Sequence, residues 1–295
     1  MDNNVKKATR QSYGEALVEL GKANENIVVL DADLAEATKT SLFKKEFPDR
    51  FLDIGIAEQD MIGIAAGLAT CGKIPYASTF AVFAAGRAYD QIRSSVCYPK
   101  LNVKICATHQ MLEDISLMRT LPNMKVFCPS DDIQTKWLIK EISKIEGPCY
   151  VRLARLNTPE IYDENQTFEI GKAVQIGEGT AATVFATGVT VPEAIKAKAE
   201  LEKQGVNIRV VDIHTIKPID KDMIIKCAKE TKKLISIEDH SIIGGLGSAI
   251  SEALTEEEPA KLIRMGIKDT FGKSGKAEEL MKYFEITAED IVKIV

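Results

Sequence analysis

The chain has 295 residues and a mass of 32.4 kDa, enough for two domains with sizeable cores. With 45% hydrophobic and 27% charged residues it has the balance of a soluble globular protein. A net charge of −5 with interspersed signs excludes the electrostatic footprint of a nucleic-acid binder and the polybasic segment that an anionic membrane surface would need. No apolar run is long enough to span a membrane, and the polar start MDNNVKKATR lacks a signal-peptide core, so a cytoplasmic location is expected.

Short apolar runs alternate with helical patterns. In chain order the first half has candidate strands at 26–30, 51–55, 74–79, 102–108, 124–129 and 148–154. They are rich in valine and isoleucine and do not alternate, which is how strands buried on both faces of a parallel sheet read. Helical patterns lie at 10–23, 58–71, 84–96, 111–120 and 131–145. In the last of these Ile133, Trp137, Leu138 and Ile142 share a face. Strand–helix alternation predicts an α/β fold with right-handed crossovers.

Residues 157–172 are polar, contain Pro159 and lack an apolar period, so they read as a linker between a first domain at 1–156 and a second at 173–295. The second set has strands at 182–187, 207–213, 233–238 and 261–267. Helices are expected at 192–205, 220–230, 247–257 and 275–284, the first opening on Pro192 and closing on Gly205. Each domain should therefore hold a mostly parallel sheet flanked by helices. The six cysteines form no C-x-x-C pair and read as small buried side chains in a reducing compartment. Three histidines without H-x-x-x-H spacing give no structural zinc site, and no metal ligands are expected in this chain.

Ligands of open α/β sheets collect at the carboxyl ends of the strands. Polar groups cluster there: Asp31 and Asp33, then Glu58, Phe80, His109, and finally Arg152 and Arg155. Together they make a plausible pocket of acids, a base, aromatics and cations. Each alone has an ordinary reading. Glu58 suits a helix N-terminus, Phe80 and Phe83 suit a core, and the arginines suit surface ion pairs. GGLGSA at 244–249 has the look of a dinucleotide turn, but no acidic residue is clearly placed about twenty positions on. Close helix–sheet packing is the better reading.

Several words carry more. ATRQSYGEAL, DADLAEAT, DIGIAEQDMIGIAAGLA, PYASTFAVFAAGRAYDQIR, HQMLEDISLMRTLPNMKVFCPSD, GPCYVRLARLN and ISIEDHSIIGGLGSAI occur in this order. In combination they resemble the C-terminal half of transketolase over nearly the whole chain. The closely related 1-deoxy-D-xylulose-5-phosphate synthase shares most of them. The resemblance implies a pyrimidine-binding domain followed by the transketolase C-terminal domain. It also implies dependence on thiamine diphosphate. The G-D-G word that introduces the family's Mg²⁺ and diphosphate site does not occur here. A separate N-terminal subunit is therefore expected to supply that site and most of the magnesium ligation. Two small and two large subunits related by a two-fold axis, a heterotetramer, are the expected assembly.

The same resemblance implies roles for particular residues. Glu58 would hydrogen-bond the aminopyrimidine nitrogen as a buried, protonated carboxyl and shift the cofactor towards its imino tautomer. Phe80 and Phe83 would stack on that ring. Asp33 and Leu34 would lie against the middle of the cofactor, with Leu34 as apolar support. Arg10 and Arg155 would hold a sugar phosphate, with Arg152 and His109 beside them, and His109 would join Glu58 as a catalytic residue. His214 and His240 read as structural. The implied reaction moves a two-carbon ketol unit between sugar phosphates, as in the pentose phosphate pathway, with no nucleic acid or membrane partner.

One word departs from the pattern. The family has a first histidine, a glycine-rich stretch and then T-H-Q after the fourth strand, whereas KICATHQMLED runs from strand to helix about a dozen residues sooner. One histidine stands for two. A true deletion predicts weakened sugar binding, and adaptation to another substrate is a further reading. An intact mass above 32.4 kDa by about a dozen residues would reveal a loop that the sequence does not show.

Three rival functions follow. A split 1-deoxy-D-xylulose-5-phosphate synthase would consume pyruvate and release CO₂; RAYDQ leans that way, while LARLN and LMRTLPNM lean towards transketolase. The beta subunit of a 2-oxoacid dehydrogenase has similar length but fits the STF and EDHSIIGGLGSA words less well. A non-catalytic half that has lost its substrate loop would be indifferent to loss of Glu58.

Overall fold

A computed structural model describes residues 6–295 and divides into two compact units, the first ending at Asn165 and the second beginning at Gln166. The first residues of the polar N-terminus, and of the domain expected at 1–156, lie outside the described residues.

The first unit contains β1 (Lys6–Ala8), β2 (Ile27–Asp31), β3 (Phe51–Asp53), β4 (Ile74–Phe80), β5 (Lys104–Thr108), β6 (Lys125–Phe127), β7 (Cys149–Arg152) and β8 (Asn157–Pro159). Six of its strands pair in the order β6-β7-β5-β4-β2-β3, all parallel. β2, β5 and β7 are buried along their whole length, which is why their sequences do not alternate between apolar and polar residues. The helices are α1 (Thr9–Ala23), α2 (Ala35–Thr38), α3 (Ser41–Glu46), α4 (Glu58–Thr70), α5 (Tyr89–Gln91), α6 (Asp114–Thr120) and α7 (Asp132–Ile142). α1 buries Tyr13, Ala16, Leu17 and Leu20, one helical stripe. The Asp131 side chain caps α7 by accepting from the Gln134 amide at 2.8 Å.

Four details differ from the sequence reading. Residues 157–159 are not free linker; they form β8, antiparallel to β1. The next residues are fastened by the Asp131 carboxylate, which accepts from the amides of Ile161 and Tyr162 at 2.8 and 3.0 Å. A three-residue strand with one buried threonine leaves no periodic signal. The helix expected at 84–96 is instead a π turn at Val82–Arg87, the short α5, and a second π turn at Ile92–Cys97. The Ala88 amide donates to the Phe83 carbonyl, one residue further back than in an α-helix. α6 starts at Asp114 because His109 turns the chain with φ 51°. α7 buries Gln134, Thr135, Leu138, Ile139 and Ile142, leaving Ile133 and Trp137 half-buried, because Gln134 is tied inward to Ser130.

The second unit contains β9 (Val174–Ile176), β10 (Ala182–Ala186), β11 (Ile208–Asp212), β12 (Thr215–Lys217), β13 (Leu234–Ser241) and β14 (Leu262–Ile267). Its sheet order is β14-β13-β10-β11-β9, parallel except for the edge strand β9. The helices are α8 (Val191–Lys203), α9 (Lys221–Glu230), α10 (Leu246–Glu257), α11 (Ala277–Tyr283) and α12 (Ala288–Ile294). Phe185, Val211, Ile224, Leu246, Ile250 and Leu254 form a core between sheet and helices. GGLGSA opens α10, and its amides are taken internally: the buried Glu238 carboxylate accepts from Leu246 and Gly247 at 2.7 and 2.8 Å. A Cβ on Gly245 would lie 1.9 Å from that carboxylate, so the glycine serves close packing. The positions a phosphate would take at this helix end are filled.

His214 and His240 are both fully buried. Burial pushes His214 down to about 4, against a hydrogen bond with the Lys172 backbone that acts the other way. The folded chain therefore binds fewer protons than the unfolded one between pH 6.5 and 4, and stability falls as pH drops through that window. From pH 7 to 5 the loss at this one group should be about 2 kcal/mol. Urea unfolding at the two pH values should show a smaller difference in His214→Gln than in the parent chain.

Candidate active site

The site is built on the carboxyl ends of the first unit's strands. Glu58 is the first residue of α4, shortly after β3, and is 1% exposed. Its Oε2 accepts from Arg87 Nη1 at 2.7 Å. The Arg87 guanidinium lies over the Phe83 ring, 4.4 Å from its centroid. Phe83 stacks with Phe80, the last residue of β4, at 5.9 Å and 17°. Phe80 meets the His109 ring at 4.0 Å. The Arg10 Nη1 is 3.4 Å from His109 Nε2. One unbroken line of contacts thus runs from Glu58 through Arg87, the two phenylalanines and His109 to Arg10.

Arg10 and Arg155 are brought together across 145 positions by the backbone. The Arg10 amide donates to the Ala154 carbonyl at 3.3 Å, and the Ala154 amide donates to Thr9 Oγ1 at 2.7 Å. Arg10 is braced by the Ala37 carbonyl at 2.8 Å. Its Nε is buried with no hydrogen-bond partner in the structure. Burial first, and then the charges of Arg10 and Arg155, push His109 down to about 4, so its imidazole is neutral at pH 7. Two guanidiniums beside a neutral imidazole have the charge and donor geometry that an anion would require.

Asp33 and Leu34 sit in the turn after β2. The Asp33 amide donates to Asp53 Oδ1 at 3.1 Å, and Asp33 has φ 60°. The Leu34 amide donates to Asp31 Oδ1 at 2.6 Å, while Asp31 Oδ2 accepts from Thr38 and Thr40. Asp31 is thus the scaffold of the turn, leaving the Asp33 side chain exposed and that of Leu34 half-buried.

Arg152 is placed differently from the sequence expectation. It is 1% exposed, its Nε donates to Asp114 Oδ1 and Oδ2 at 3.0 and 3.1 Å, and its Nη2 donates to the Met111 carbonyl at 2.9 Å. Tyr150 also donates to Asp114, at 2.7 Å. A guanidinium held this way inside the unit fastens the turn that carries His109. The phosphate expectation remains with Arg10 and Arg155.

The sequence reading does not single out Arg87. A signal for it is present: an arginine four residues after Phe83 in a helical segment reaches back over that ring. The pairing with Glu58 also changes the expected picture of that carboxyl, which has a cation beside it and is not surrounded by apolar groups alone.

The buried carboxyl, the stacked aromatic pair and the planar nitrogen group already accommodated between them fit an aminopyrimidine ring. Among the described residues no group of three or more His, Cys, Asp or Glu side chains could hold a metal ion.

Comparison with known proteins agrees with this architecture. The family model for the transketolase pyrimidine-binding domain matches residues 5–160, and that for the transketolase C-terminal domain matches 171–291. The chain belongs to the transketolase family. It is 51% identical to a chain of Methanocaldococcus jannaschii named provisionally as a transketolase C-terminal section, covering 98% of this chain and 95% of that one. It is 40% identical to the 6-deoxy-6-sulfo-D-fructose transketolase subunit SqwH of Clostridium sp. strain MSTE9, over 96% and 92% of the two chains. Human transketolase is 38% identical over 98% of this chain, which spans 48% of that protein. A solved structure described as a split gene transketolase, inactive beta4 tetramer, superposes with a TM-score of 0.93 at 50% identity, covering 97% and 96% of the two chains. The chain thus corresponds to the C-terminal part of a split transketolase, and the family implies dependence on thiamine diphosphate.

The alignment with the Methanocaldococcus chain runs over 304 positions against 295 residues here, so some of that relative's residues face gaps. His109 sits in the left-handed region, which costs a non-glycine residue about 1 kcal/mol.

Proposed function

We propose that this chain is the C-terminal subunit of a transketolase that moves a two-carbon ketol unit between phosphorylated sugars. It works with a separate N-terminal subunit that binds the diphosphate and Mg²⁺. The observation that carries the reading is the single line of residues joining a buried carboxyl and a stacked aromatic pair to a paired-arginine anion site. Thiamine diphosphate, when bound, supplies the carbon that accepts the ketol fragment. Phe80 and Phe83 present a flat apolar face for its pyrimidine ring. Glu58 faces the ring nitrogen and shares a hydrogen bond with it, with Arg87 turned aside. The neutral His109 imidazole lies between ring and anion site, where it can hydrogen-bond a sugar hydroxyl. Arg10 and Arg155 bind the terminal phosphate, with Leu34 and Asp33 bordering the cofactor. We place the enzyme in the cytoplasm, as a heterotetramer in pentose phosphate metabolism. No helix among the described residues is long and apolar enough to cross a membrane.

The relationship to a sulfofructose transketolase subunit supports a second substrate reading. A sulfonate is also a tetrahedral anion that two guanidiniums can hold. Assaying phosphorylated and sulfonated ketoses side by side decides between them.

The test of the main reading is affinity capture of the tagged chain from its source cells. A co-purifying chain with G-D-G and a downstream asparagine, together with ketol transfer by the complex, is expected. Recovery of the chain alone would overturn it in favour of a non-catalytic half. CO₂ release from pyruvate would favour the synthase.

Arg155→Ala should raise KM for a phosphorylated acceptor by about ten- to a hundredfold, because a charged hydrogen bond is lost. It should leave kcat within about threefold, since the contact is made equally in ground and transition states. Steady-state kinetics with matched phosphorylated and unphosphorylated acceptors checks this; the unphosphorylated acceptor should be indifferent to the change.

A further inference from the structure

Arg87 has no part in the reaction proposed above, yet its guanidinium sits at the centre of the site. Its two partners are the face of Phe83, at 4.4 Å, and the Glu58 carboxylate, at 2.7 Å. These are the same two partners, an aromatic face and a buried carboxyl, that the reading above gives to the aminopyrimidine ring. A guanidinium is flat, carries nitrogen donors at its rim and stacks on aromatic faces, so it copies the ring in shape and in hydrogen bonding.

We propose that Arg87 occupies the pyrimidine subsite of the free subunit as an internal stand-in for the cofactor ring. Cofactor binding then requires its side chain to swing out to solvent. The proposal rests on the reading that Glu58 faces the aminopyrimidine.

Three features make such a swing possible. Arg87 is the last residue of the π turn, and its side chain is 46% exposed, so a path to water is open. Its backbone is held independently, because the Gln59 amide group donates to the Arg87 carbonyl at 3.2 Å. The Glu58 side chain is 1% exposed, so without a cation or a ligand it would be a buried charge with its main partner gone. The stand-in keeps the unassembled subunit's site satisfied. A cation–π contact and a half-exposed ion pair are each weak, so the blockade is reversible and should weaken ring binding by roughly tenfold.

The experiment uses the purified full-length chain without its partner. The probe is 4-amino-5-hydroxymethyl-2-methylpyrimidine, the ring half of thiamine, followed by ligand-observed NMR. Circular dichroism confirms that each variant is folded. Arg87→Ala should bind the probe roughly tenfold more tightly than the parent chain. In a Glu58→Gln background the same change should give no gain, because the carboxylate that holds the guanidinium is absent. Equal or weaker binding by Arg87→Ala, including binding by neither chain, would overturn the proposal, as would an equal gain in the Glu58→Gln background. Failure of the underlying reading looks different: Arg87→Ala and Arg87→Ala/Glu58→Ala would then bind the probe equally.

Discussion

Replacing Glu58 with alanine is expected to lower ketol transfer by the assembled enzyme by about three orders of magnitude. The carboxyl is 1% exposed at the first position of α4, beside the stacked Phe80 and Phe83, and the function proposed above has it exchange a proton with a planar nitrogen ring. Alanine removes both the hydrogen bond and the proton, while the aromatic pair keeps its geometry. Glutamine keeps a donor but cannot exchange a proton, so it should recover ring binding and little turnover. Steady-state rates and cofactor affinity, measured separately in the reconstituted complex, distinguish the two effects. Full activity in Glu58→Ala would remove the proposed mechanism and favour a non-catalytic subunit.

The second large effect is on stability. Asp114→Ala should cost about 3–5 kcal/mol, because it strands a buried guanidinium. Asp114 and Arg152 are both fully enclosed, and the carboxylate also accepts from Tyr150. The effect should reach the site, since Arg152 also holds the Met111 carbonyl in the turn that follows His109. Urea unfolding of the single variant should show the loss. The double variant Asp114→Leu/Arg152→Met should recover most of it, because two apolar side chains of similar volume leave no unpaired charge. If Arg152 were instead a substrate ligand, Arg152→Met alone would raise KM and leave stability nearly unchanged.

The contrast between Arg152 and Arg155 shows where reading residues in order runs out. Three positions apart, they look alike in sequence. Burial at the end of β7 turns one inward onto Asp114, while the other emerges beyond the strand beside Arg10. Choosing between them depends on which face of the strand is covered, and on an aspartate 38 positions away. Arg87 escapes a sequence reading for a related reason. Helical spacing places it near Phe83, but only the π turn aims it at Glu58, 29 positions back in the chain.

What the sequence by itself determined was considerable. Short, non-alternating runs rich in apolar residues announced parallel strands buried on both faces, and helix patterns between them announced the α/β class. Both are local properties, written within a few residues of where they act. The ordered words of the family identified Glu58, Phe80, Phe83, His109, Arg10 and Arg155 as candidates, and the missing G-D-G word pointed to a partner subunit. Only the tertiary structure decided that a continuous line of contacts joins Glu58 to Arg10 with Arg155 beside it, that Arg152 and Asp31 are scaffolding, and that a cation already stands against Glu58. Those outcomes depend on side chains far apart in the chain meeting in a particular register. The burial that decides their charge state and their partners exists only once the sheet has closed.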